Sequence, residues 1–135
     1  MTSLRAVLAV LAGGAVGTAL RLTVDLLLPH GGAAFPIGTF LVNLTGSFVL
    51  GALVARVWPV APEWLRVGLG PGLLGSFTTF SALAVSAVEL TSAGAGAEAV
   101  VYVAASLVGG IAAAALGIRL GAPTATAPPP IGDDE

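Results

Sequence analysis

The sequence contains no cysteine and no lysine, a single histidine, and only 5 basic and 7 acidic side chains in 135 residues. Without cysteine there is neither a disulfide framework nor a thiolate metal site. A net charge of −2 with no lysine leaves no basic surface for nucleic acid or anionic lipid. The acidic residues fall mostly near span ends or in the C-terminal tail. They assemble no catalytic constellation, and no enzyme is expected. What remains is apolar: 56% hydrophobic residues and a mean hydropathy of +1.01. A water-soluble domain of this length cannot hide that much apolar surface, so the chain reads as an integral membrane protein.

Four stretches are long enough to cross a bilayer, which takes about 20 helical residues. They run over about 4–28, 36–58, 67–90 and 97–120. The first ends at the breaker cluster Pro29–His30–Gly31–Gly32, and the second opens on Pro36, a residue suited to a first helical turn. A short polar connection, Pro59 to Arg66, precedes the third. Within the third, Gly70–Pro71–Gly72 and Gly75 predict a broken rather than a straight helix. The expected fold is an all-α membrane protein in which the third of four helices breaks near mid-membrane. Residues 1–120 form one transmembrane domain, and 121–135 read as a disordered, Pro/Thr-rich acidic tail. No convincing cleavage site follows the first apolar stretch, which reads as a retained helix rather than a signal peptide.

Arginine placement gives an orientation. Arg5, Arg56, Arg66 and Arg119 all fall on the side of the two termini, whereas the loops Pro29–Phe35 and Thr91–Gly96 carry none. The positive-inside rule then places both termini in the cytoplasm of a multi-pass cell (inner) membrane protein.

The most polar membrane segment is Gly75–Ser76–Phe77–Thr78–Thr79–Phe80–Ser81. Unsatisfied polar groups at that depth cost several kcal/mol each, so the segment must be buried in protein or line a path. A helix broken there frees carbonyls that a cation can collect; helix–helix hydrogen bonding is the plainer reading. Phe77 and Phe80 read as packing rings, although an aromatic edge is positive and can meet an anion. In the second span Thr39, Asn43 and Ser47 recur every four residues, and three in register point to a lined path or a binding site. Tyr102, Ser106 and Gly110 repeat that spacing in the fourth span, more weakly. Gly13 and Gly17 form a packing face. Arg21, inside the first span, is either functional or snorkels beside Asp25.

These residues together resemble the Fluc (CrcB) fluoride channels. The resemblance lies in Gly13–Gly14–x–x–Gly17–x–x–x–Arg21, in Pro36–x–Gly38–Thr39–x–x–x–Asn43–x–x–Gly46–Ser47, in Gly75–x–x–Thr78–Thr79–Phe80–Ser81 and in Tyr102–x–x–x–Ser106. It covers all four spans and leaves only the tail outside. It implies an antiparallel, dual-topology-type dimer with two fluoride pathways and a central structural sodium ion. The backbone carbonyls of Gly75 and Thr78 would hold the sodium. Asn43, the ring edge of Phe80, and the hydroxyls of Thr39, Ser81, Tyr102 and Ser106 would line the pathway, with Arg21 as an electrostatic lure. The implied function is passive fluoride efflux.

The chain departs from the family pattern at Ala82, Leu83 and Ser86, where the family usually has a hydroxyl, a second phenylalanine and a glutamate. Each family pathway takes one phenylalanine from each subunit, so a homodimer of this chain would carry half an aromatic pair per pathway. The strong arginine bias also disfavours insertion in both orientations. Both features favour a heterodimer with an oppositely oriented paralogue over a homodimer. A small multidrug-type antiporter would need a titratable acid within the first span, and the only one is Asp25, near its end. A non-conducting assembly protein would leave the Thr39–Asn43–Ser47 stripe without a role.

Overall fold

The structure, a computed structural model, describes residues 3–29 and 34–122. The proposed tail beyond residue 122, and His30–Gly31–Gly32 of the first breaker cluster, lie outside the described residues. Helix α1 spans Leu4–Leu27 and starts on Ser3, whose side chain accepts from the Ala6 N–H. Helix α2 spans Ile37–Arg56. The third crossing is assembled from α3 (Glu63–Val67), a π-helical segment (Gly68–Leu74), α4 (Gly75–Phe77) and α5 (Phe80–Ser92). Helix α6 spans Gly96–Gly121. Four crossings of 24, 20, 30 and 26 residues are long and apolar enough to span a membrane.

Two details differ from expectation. The helix before the third span begins at Glu63 rather than beyond Arg66, because Pro62 and then Glu63 suit a helix N-terminus. More importantly, Gly70–Pro71–Gly72 and Gly75 do not break the third span. Pro71 has no N–H and clashes with an ordinary α-turn, and the chain absorbs this by widening into π turns that close at Gly75, whose N–H bonds the Gly70 carbonyl. The break comes at Thr78 and Thr79, which are extended (φ −77°, ψ 158° and φ −152°, ψ 120°).

In lipid, helices gain little from apolar contact with each other and depend on close approach. Here glycine supplies it. A Cβ at Gly13 or Gly17 would overlap the carbonyl oxygens of Gly68 and Leu73, which fixes α1 against the π-helical segment. Likewise Gly51 lies on the Ala114 carbonyl and Gly117 on the Phe48 carbonyl, which fixes α2 against α6. Contacts advance together along both pairs, so each pair is parallel, and the outward faces of α1 present Leu4, Leu11 and Leu26.

The break changes the third span's partner. Before it, α3, the π segment and α4 pack on α1; after it, α5 packs on α6 and α2. The span therefore crosses over α2 at mid-membrane.

Candidate functional site

That crossover leaves two wedges. On the terminus side of the break, a cavity of about 570 Å3 opens between the π segment and α6, floored by Asn43, Gly46 and Ser47 and walled by Phe80 and Ser106. On the other side, where α5 diverges from α1, a cavity of about 380 Å3 is lined by Arg21, Asp25, Thr39 and Ser81. Thr79 lines both.

Asn43 holds the crossing. Its Nδ2 donates to the Thr79 carbonyl at 2.9 Å and its Oδ1 accepts the Thr79 N–H at 2.8 Å. A side-chain amide thereby takes the N–H that a continuous helix would bond to Gly75, and adds a second donor to the Thr79 carbonyl, which as the N-cap carbonyl also opens α5. One Nδ2 hydrogen remains. Thr79 in turn caps α5: its hydroxyl accepts from the Ala82 N–H at 3.1 Å and shares a 3.1 Å hydrogen bond with the Ser81 hydroxyl. Thr78 turns its hydroxyl back onto the Leu74 carbonyl at 2.9 Å.

These diversions have a backbone consequence. In an unbroken helix the Gly75 carbonyl would accept from the Thr79 N–H, and the Thr78 carbonyl from the Ala82 N–H. Asn43 takes the first donor and the Thr79 hydroxyl takes the second. Gly75 and Thr78, both lining the larger cavity, therefore keep carbonyls without their helical donors.

The structure sorts the remaining sequence-selected residues by place. Asn43, Ser47, Gly75, Thr78, Phe80 and Ser106 meet at the larger cavity, and Arg21, Thr39 and Ser81 at the smaller one. Phe80 and Ser81, neighbours in sequence, thus serve opposite wedges. Phe80 is 75% exposed and pairs with no other ring among the described residues. Tyr102 lies wholly buried on α6. The Thr39 and Ser86 hydroxyls lie beside its phenol, yet none reaches hydrogen-bond geometry, and its oxygen and that of Ser106 have no partner among the described residues. Leu83, where the family resemblance led to the expectation of a second phenylalanine, is 7% exposed and packs with Leu90, Ala99 and Tyr102.

Two residues have no role of their own in the sequence, where Thr79 stands only within the polar segment and the family motif. Thr79 carries the whole crossing, and the signal was available: a threonine three residues before a helical N–H, just after a helix stop. Trp58 marks only the end of the second span in the sequence. It lines the terminus end of the larger cavity with its indole N–H buried and unpartnered, in space left by Gly70.

The fold and site define a multi-pass helical membrane protein whose neutral polar residues gather around one helix break. A family model described as "CrcB-like protein, Camphor Resistance (CrcB)" matches residues 8–118, and the chain belongs to the CrcB family. It is 42% identical over 125 residues to "Fluoride-specific ion channel FluC 2" of Halalkalibacterium halodurans, covering 92% of this chain and 91% of that protein. It is 46% identical over 112 residues to "Fluoride-specific ion channel FluC" of Chelativorans sp., covering 80% and 89%. With the same-named protein of Rhodospirillum centenum it shares 44% identity over 123 residues, covering 86% and 97%. These relatives are named as channels, not enzymes.

Proposed function

We propose that this chain is a subunit of a fluoride channel that lowers cytoplasmic fluoride by passive efflux, with both termini in the cytoplasm. The observation that carries the reading is the pair of offset wedges meeting at the Asn43–Thr79 clamp, with donors that are almost all uncharged. Fluoride is small and strongly hydrated, so a pore must replace its water shell with several close donors. Neutral donors do this without trapping the ion, since conduction needs binding weak enough to release. On the terminus side these are the second Asn43 amide hydrogen, the Ser106 hydroxyl and the positive edge of Phe80. Beyond the crossing, Ser81 and Thr39 continue the path, with Tyr102 buried between. The Arg21 guanidinium at the smaller wedge raises the local anion concentration without standing in the constriction.

A structural sodium ion fits the Gly75 and Thr78 carbonyls, because each lacks its helical donor and, among the described residues, no other backbone N–H takes that donor's place. When bound between two subunits, the ion would supply the positive charge that these carbonyls otherwise lack.

The assembly this reading favours is an antiparallel heterodimer with an oppositely oriented paralogue. Phe80 stands out from the chain without a ring partner, and Leu83 cannot supply one because it is packed in its own core. Relatives numbered FluC 1 and FluC 2 occur in the family. The test is fluoride efflux from liposomes holding this chain alone, its paralogue alone, or both, paired with rescue of a fluoride-sensitive strain. Channel-rate efflux only from the mixture is expected. Efflux at that rate from this chain alone would remove the heterodimer, and none from any combination would remove the channel.

A further inference from the structure

Three helices bring hydroxyls to one dry point: Thr39 from α2, Ser86 from α5 and Tyr102 from α6, exposed by 3%, 2% and 0% respectively. Ser86 stands where the family pattern has a carboxylate, so the cluster is uncharged. The Tyr102 oxygen has no hydrogen-bond partner among the described residues. Such a donor must either be kept from water or be hydrated; Leu90 of α5 and Ala99 of α6 pack beside it toward the loop end, and the segment that enters α2 lies against the same end.

Phe35 closes it. Its ring meets Tyr102 edge-on, with centroids 5.3 Å apart and planes at 89°, and meets Phe40 at 5.6 Å and 72°. Its placement has a backbone cause. Pro36, among the most buried side chains, sits at φ −76° and ψ 69°, and the Ile37 N–H donates to the Phe35 carbonyl at 2.8 Å. That is an inverse γ-turn, a conformation proline's ring favours by fixing φ. The turn sets the direction in which the chain enters α2 and aims the Phe35 ring across the loop end of α6.

We propose that Phe35, locked by the Pro36 turn, is a positioning residue that seals the Thr39–Ser86–Tyr102 cluster from water at its loop end and keeps the Tyr102 phenol a desolvated, uncommitted donor. The role rests on the channel reading, because a dry donor serves an anion better than one already hydrogen-bonded to water. It assigns a function to a loop residue that contacts no ion.

Tyr102 is the only tyrosine in the chain, so its water contact can be read separately from flux. The measurement is hydroxyl-radical footprinting by water radiolysis in liposomes, with Tyr102 oxidation scored by peptide mass and Trp64 as an exposed reference. Phe35→Ala should raise Tyr102 oxidation several-fold and lower fluoride efflux through the assembly that conducts. Phe35→Leu, which keeps an apolar cover, should restore both. Pro36→Ala keeps the ring but frees the turn, and should raise oxidation by a smaller factor. Unchanged oxidation in both Phe35→Ala and Pro36→Ala would overturn the seal. Raised oxidation with unaltered efflux would overturn the positioning role. Should no combination of subunits conduct, the channel reading falls, and the oxidation measurement still decides whether Phe35 is a seal.

Discussion

The α2–α6 pair and the third span are both rich in small residues and both line the wedges, yet the pair stays continuous while the span is widened and broken. Glycine content does not separate them. Gly51, Gly117 and Gly121 lie under carbonyls of the facing helix and leave both helices regular. Gly70 and Gly72 flank a proline and sit in a π-helical segment that still does not stop. What stops the third span is a side chain from elsewhere: Asn43 captures both backbone groups of Thr79. A glycine in a membrane helix therefore marks close approach, and the break belongs to the residue that offers the backbone another partner.

The sharpest way to break this comparison is at Asn43. Asn43→Asp should abolish fluoride efflux, because it removes the amide donor to the Thr79 carbonyl and sets a carboxylate beside both that carbonyl and the anion path. Asn43→Ala separates the two effects: it leaves the Thr79 N–H unpaired within the membrane, while the Thr79 carbonyl keeps only its α5 bond, a loss of about 1–3 kcal/mol for one buried group. Thermal stability of the reconstituted protein should fall markedly with Asn43→Ala. Unaltered stability would mean that the clamp does not hold the crossing, and normal efflux with Asn43→Asp would remove Asn43 from the path.

A smaller effect is expected on the regular side. Gly117→Ala places a methyl group against the Phe48 carbonyl and must push α2 from α6. Overpacking of this kind costs about 1–3 kcal/mol, read as a lowered melting temperature. An equal melting temperature would show that the pair tolerates separation and that glycine there is incidental.

Smallest in stability is Ser106→Ala. The Ser106 hydroxyl is buried with no partner among the described residues, so its removal should cost no stability and should instead relieve an unsatisfied group. Efflux should fall, because the larger wedge loses a donor. A clear loss of stability would instead give Ser106 a structural partner and withdraw it from the path.

Much of this is legible in the order of residues along the chain. The four spans follow from run length and hydropathy, and the Gly13–Gly17 face packs as its spacing suggested. The stripe Thr39–Asn43–Ser47 does mark the polar side of α2, but it divides between wedges, with Thr39 at the smaller and Asn43 and Ser47 at the larger. The expected break at Gly70–Pro71–Gly72 and Gly75 moved to Thr78–Thr79, because local propensity cannot register a π-helical segment held by α1 packing. Phe35 gave no signal at all, since an aromatic before a proline reads only as a loop residue.

By itself the sequence determined that this chain lies in a membrane, crosses it four times and belongs among proteins that carry its glycine, asparagine and threonine pattern. Those are consequences of composition and spacing, which act along the chain. Tertiary structure alone decided where the third span breaks, which helix it leaves and which it joins, and how neighbouring Phe80 and Ser81 come to face different wedges. These depend on a hydrogen-bonded pair 36 residues apart, Asn43 and Thr79, and no local preference encodes an amide that replaces a helical turn from another helix.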